Sequence, residues 1–90
     1  MTKALISVTG LDATGIIARV ATRLYEMNIN ILDISQTILQ GIFTMTMLVD
    51  LAASTSTFSD VKAALDELSG KLGVQITMQR EEVFRFMYRL

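Results

Sequence analysis

The stretch Gly10-Leu11-Asp12-Ala13-Thr14-Gly15-Ile16-Ile17 is where residue types and spacing come closest to chemistry. A glycine-punctuated loop there runs into a helix. The first N–H groups of a helix lack acceptors within it, and together with the helix dipole they attract a carboxylate or a phosphate. The same residues have a plainer reading, in which Gly10 and Gly15 permit the turn and Asp12 or Thr14 caps the helix. A second stretch, Ile29 to Leu39, reads as a strand with no proline, lysine or arginine and a single charge at Asp33. Natural sheet edges are usually defended by charge or bulges, so an undefended strand invites pairing, unless a loop shields it.

Other chemistries lack their parts. The chain has no histidine, cysteine or tryptophan, which removes the commonest general base, the thiolate nucleophile and every disulfide or thiolate metal site. No cofactor or metal is expected. Met45, Met47 and Met78 fall on an apolar stripe, as core-filling methionines do. An acylphosphatase would need an arginine in the first loop, and residues 10–15 contain none. Eight basic and nine acidic residues give a net charge of −1. Nucleic-acid binders carry clustered basic charge, and RNA-recognition modules of similar topology carry aromatics on their central strands; neither appears. No apolar run approaches the roughly 20 residues that span a bilayer. No leader is expected ahead of the first alternating segment. Neither a nucleic-acid nor a membrane partner is expected, and the cytoplasm is the expected compartment.

The elements that must position these residues follow from periodicity. Residues 3–9 alternate, with Ala4, Ile6 and Val8 on one face, as in a half-buried strand. From Gly15 to Met27 the residues Ile17, Val20, Ala21 and Leu24 recur at helical spacing, with Arg19, Arg23 and Glu26 opposite. Asn28-Ile29-Asn30 breaks this helix. Two further strands meet at Gln40-Gly41, a two-residue hairpin loop. That register sets Ile38 against Phe43, Gln36 against Met45, Ile34 against Met47 and Leu32 against Val49. Ile31, Asp33, Ser35, Thr37, Thr44, Thr46, Leu48 and Asp50 then share the other, hydroxyl-rich face. A loop ending in capping residues precedes a second helix from about Phe58, with Val61, Leu65, Leu68 and Leu72 on its stripe and Gly73 at its end. Val74, Ile76 and Met78 alternate as a fourth strand. From Glu81, Val83, Phe84, Met87 and Leu90 are spaced as a short amphipathic tail (81–90).

The order β-α-β-β-α-β makes residues 1–90 a single α+β domain of ferredoxin-like architecture. Its four-stranded antiparallel sheet has the order 4-1-3-2, with two helices on one face. Ile34, Met47, Val61 and Leu65 are expected beneath the helices. A 90-residue chain buries a modest core, yet this one is 51% apolar with a mean hydropathy of +0.46. A homodimer is the simplest outlet for that surplus.

Several motifs also resemble a known family. The segment from Gly10 carries Gly-x-Asp-x-x-Gly-Ile-Ile-Ala, then Val-Ala and Leu, and closes on Asn28-Ile29-Asn30-Ile31-Leu32-Asp33-Ile34. Ile34-Ser35-Gln36-Thr37-Ile38, Phe43-Thr44-Met45 and the final Met87-Tyr88-Arg89-Leu90 continue the match. As a set they resemble ACT domains, and most of all the small stand-alone proteins similar to the glycine-cleavage-system regulator. The resemblance implies a non-catalytic regulatory domain that senses a small molecule, typically an amino acid, at a homodimer interface. By position, Asp12, Thr14, Gly15 and Ile16 would form the loop side of the site. Asn30, Ile31 and Asp33 of the partner would form the strand side. The ligand carboxylate would meet the N–H groups around Gly15 to Ile17. Many ACT domains have proline where Thr14 stands, so this loop departs from the pattern. No enzyme or DNA-binding domain is expected to be fused to it, so such a domain would act through a separate regulatory or enzyme partner. The alternative is a ligand-free interaction module acting through the sheet face or the tail.

Overall fold

The computed structural model describes residues 2–11 and 13–83. Elements run β1 (Lys3–Gly10), α1 (Ala13–Glu26), β2 (Asn30–Leu39), β3 (Ile42–Asp50), α2 (Phe58–Leu72) and β4 (Gln75–Arg80). The strands form one antiparallel sheet in the order β2-β3-β1-β4, which is the expected ferredoxin-like topology. Glu81 to Val83 form a helical turn; the remainder of the expected tail lies outside the described residues.

Local chemistry explains the boundaries. α1 ends on Asn28 in the left-handed conformation (φ 59°). The Ile29 N–H donates to the Leu24 carbonyl and the Asn28 N–H to that of Tyr25, the paired bonds of a Schellman motif. α2 starts in a capping box. The Thr57 hydroxyl accepts from the Asp60 N–H, and the Asp60 carboxylate accepts from the Thr57 N–H, both at 3.1 Å. It ends on Gly73 at φ 68°. In the hairpin both Gln40 (φ 49°) and Gly41 (φ 83°) have positive φ, as a type I′ turn requires. The Arg80 guanidinium lies 4.4 Å from the centre of the Phe58 ring, tying the end of β4 to the start of α2.

The core lies between the helices and one face of the sheet. Ala4, Ile6 and Val8 of β1 meet Phe43, Met45, Met47 and Val49 of β3, Ile76 and Met78 of β4, and the stripes Ile16-Val20-Leu24 and Val61-Leu65 of the helices. β2 contributes nothing to it, and all ten of its residues are exposed.

Two expectations need correction here. Ile34 is not buried: it is 42% exposed, although Met47 opposite it is 1% exposed. Its side chain turns to the helix side but lies beyond the helices, which cover β3, β1 and β4. Nor does Leu32 face Val49. A β-bulge falls between Ile31 and Asp33, so Ile31 stands opposite Val49 and Asp33 opposite Leu48. One extra residue reverses the alternation, moving Ile31 from the hydroxyl-rich face to the helix side.

Leu65 is 1% exposed at the centre of the core, so Leu65→Ala should cost about 2–5 kcal/mol through lost contacts and a residual cavity. Thr55 is exposed in the loop before α2, and Thr55→Ala should change stability by no more than about 0.5 kcal/mol. Urea unfolding midpoints measure both.

Candidate functional site

α1 begins at Ala13, two residues ahead of the expected Gly15. Thr14 and Gly15 therefore belong to its first turn, and Thr14 is not the cap. Asp12 lies outside the described residues. The Ile17 N–H falls on the i→i−4 ladder, directed at the Ala13 carbonyl, so donors for an anion shift from Ile17 toward Ala13 and Thr14. The Ile16 side chain is 2% exposed and serves the core, leaving its backbone as the part near the loop.

Gly10 brings the loop down onto Val74, just before β4. A Cβ there would lie 2.5 Å from Val74 Cγ1 and 2.7 Å from Ile16 Cδ1, so the loop packs this closely because the side chain is missing. Above it, a cleft of about 330 Å³ opens between the first turns of α1 and the end of α2. Leu11, Ile16, Leu72 and Val74 give it apolar walls, and Arg19 lines it from α1. The sequence shows Arg19 only as a charge on the outer face of α1. A second groove of about 320 Å³ runs on along that face between Arg19, Arg23 and Leu68, where Arg23 pairs with Glu26 at 3.5 Å.

The strand side lies elsewhere. Asn30 stands opposite Asp50, which in turn stands opposite Lys3 at the start of β1. Gly10, at the other end of β1, is level with Phe43 and Ile38. From Lys3 to Gly10 the strand rises roughly 24 Å. Within one chain the loop residues and Asn30, Ile31 and Asp33 thus occupy opposite ends of the sheet. A second chain with its β2 antiparallel to the first would bring each loop beside the other chain's strand start.

Two carboxylates near the strand start are engaged. The Ile34 N–H donates to Asp33 Oδ1 at 2.9 Å. Asp50, which sequence reading did not single out, is held below its ordinary value chiefly by a hydrogen bond from the Thr2 side chain, then by the Ala52 N–H at 2.9 Å and the Lys3 charge. Register alone places it beside Asn30, and nothing in the sequence pattern marks it. Among the described residues, no group of three or more acidic side chains is arranged to hold a metal ion, and no helix is long and apolar enough to cross a membrane.

Comparison with known proteins agrees with this frame. The ACT domain family model matches residues 2–79. A UPF0237 protein of Clostridium acetobutylicum is 56% identical over 88 residues, covering 98% of this chain and 99% of that protein. The solved structure of an ACT domain protein from Streptococcus pneumoniae superposes with a TM-score of 0.81 at 35% identity, covering 92% of this chain and 93% of that one. A candidate glycine cleavage system transcriptional repressor superposes with a TM-score of 0.77 at 25% identity, covering 88% of this chain and 45% of that one.

Proposed function

The chain belongs to the ACT domain family, whose members generally serve as small-ligand-binding regulatory domains, and on that premise we propose that it is a homodimeric, non-catalytic amino-acid sensor. The observation that carries this reading is the separation of the loop side from the strand side by the length of β1. A site using both needs two chains, and β2 presents the exposed edge through which two chains would join. The ligand carboxylate would face the first turn of α1, around Ala13 and Thr14, where the helix dipole favours negative charge. Its ammonium would face Asn30 and Asp33 of the partner strand, with Ile31 beside it and Asp12 on the loop. An ammonium lying between Asp12 and the bound carboxylate removes the repulsion those two anions would otherwise feel. Nothing in this arrangement consumes the ligand. The signal would pass in the cytoplasm to a separate regulatory or enzyme partner.

One observation favours a second reading. The open sheet face carries a shallow groove of about 140 Å³ between Leu5, Thr46, Leu48 and Ser35, a surface on which a ligand-free interaction module could act.

Light scattering coupled to gel filtration should give twice the 10.0 kDa chain mass. A monomer at micromolar concentration contradicts the two-chain site. In a thermal-shift screen of the common amino acids, a ligand at 100 times its Kd stabilises by about 2.7 kcal/mol. At roughly 4–8 °C per kcal/mol for a domain of this size, one or a few clear responders should stand out. Gly15→Val should abolish the response while circular dichroism shows the fold intact. Lys62→Ala, exposed on α2, should preserve it. No responder at millimolar concentrations favours the interaction module, and a responder indifferent to Gly15→Val places the site elsewhere.

A further inference from the structure

The cleft between the first turns of α1 and the end of α2 is not used by the two-chain site, which it borders only along the head of α1. Leu11, Ile16, Leu72 and Val74 wall it, Arg19 edges it, and none of its lining residues belongs to β2. Its far wall leads into β4, and β4 and β2 are opposite edges of the sheet. One chain therefore completes the cleft, on the side away from the β2 edge.

Local structure holds this cleft in shape. The Gly73 and Val74 N–H groups both donate to the Ser69 carbonyl, at 3.0 and 3.2 Å, and the Ser69 hydroxyl donates to the Val74 carbonyl. Three hydrogen bonds to one residue fix the wall at Val74, and the close approach of Gly10 to Val74 and Ile16 closes the floor. At the lip, Leu11 is 80% exposed, apolar surface that a bound hydrocarbon would take from water. Arg19 has no ionic partner among the described residues, whose ion pairs join Arg23 to Glu26 and Lys71 to Glu67. Its forked donors match a carboxylate best. Among the described residues, no carboxylate lines the cleft. A largely apolar hollow of about 330 Å³ with one convergent charge has the character of a small-molecule site.

We propose that this cleft is a second small-molecule site, complete within one chain, that binds a short aliphatic monocarboxylate. The hydrocarbon lies between Leu11, Ile16, Leu72 and Val74, and the carboxylate takes the Arg19 guanidinium. One guanidinium balances one negative charge, whereas a phosphate monoester carries about two. An amino acid is a poorer guest, because its ammonium would stand near a cation with no lining carboxylate to receive it. The site stands apart from the amino-acid site and does not depend on a second chain.

Octanoate is the probe, titrated into the isotope-labelled full chain and followed by amide chemical shifts. The amides of Leu11, Arg19 and Gly73 should shift together, with a dissociation constant on the order of 1 mM or tighter. From butanoate to hexanoate, each added methylene should tighten binding about fourfold. Arg19→Gln should weaken octanoate about tenfold or more, with Arg19→Lys falling between it and the parent. Octyl phosphate should bind no tighter than octanoate. Asn30→Ala, which damages the strand side of the two-chain site, should leave octanoate binding as it is. Shifts scattered over the surface, or none at several times the expected dissociation constant, overturn the site. Undiminished binding by Arg19→Gln overturns the role of Arg19, and tighter binding of octyl phosphate overturns the choice of carboxylate. Loss of octanoate binding in Asn30→Ala puts the acid in the two-chain site and overturns a separate cleft. None of these results bears on the amino-acid reading, whose responders are found with the parent chain.

Discussion

β1 pairs with β3 along one side and with β4 along the other, each time antiparallel, and its Ala4, Ile6 and Val8 have no exposed surface. With the centre of the sheet so committed, right-handed crossovers carry both connecting helices over the same face to their next strands. β2 is left at the edge. Its outer position follows from the topology, and so does the distance between the loop after β1 and the start of β2. Both follow from a central strand that has no room for a third neighbour.

That constraint shapes what the domain can do. The loop at the head of α1 offers backbone donors and a dipole, a setting suited to holding a carboxylate. The start of β2 offers Asn30 and Asp33 in reach of solvent. Among the described residues, neither end has a dry, convergent set of titratable groups such as acid–base catalysis uses. Two chains placed edge to edge would set one end against the other, so that ligand binding and assembly draw on the same residues. A small ligand bridging two chains favours the dimer over the free chains by its binding free energy, which is how a ligand-binding domain can report a concentration.

Much of the fold is legible in the sequence because its signals are local. Alternation marks Ala4-Ile6-Val8, helical spacing marks Val20 and Leu24, and Gln40-Gly41 names its own turn. Gly73 does the same for the end of α2. The bulge at Leu32 is hidden because Ile31 and Leu32 are both apolar, so either parity of the strand satisfies the pattern. The exposure of Ile34 is hidden for another reason: alternation tells which face a residue takes, while burial depends on how far the helices reach over the sheet. Thr14 resembles a cap by its chemistry, and the helix begins one residue earlier. In the candidate site, the glycine loop and the bare strand are visible as motifs. Arg19 beside the cleft and Asp50 opposite Asn30 come from packing and register, which no single stretch of sequence encodes.

The central claim is that each binding site takes its loop from one chain and its strand from the other. A mixing experiment tests this most directly, using the amino acid that the parent protein binds. Gly15→Val damages the loop side, and Asn30→Ala damages the strand side; each homodimer should then bind poorly. In a mixed dimer both defects fall in one site, and the other site is whole. Equilibrating equal amounts of the two variants should therefore restore tight binding at about a quarter of all sites, as a two-fold interface requires. Isothermal titration calorimetry reads that stoichiometry. Restoration at this level is the result predicted here, and a mixture that binds no better than its two components would contradict it.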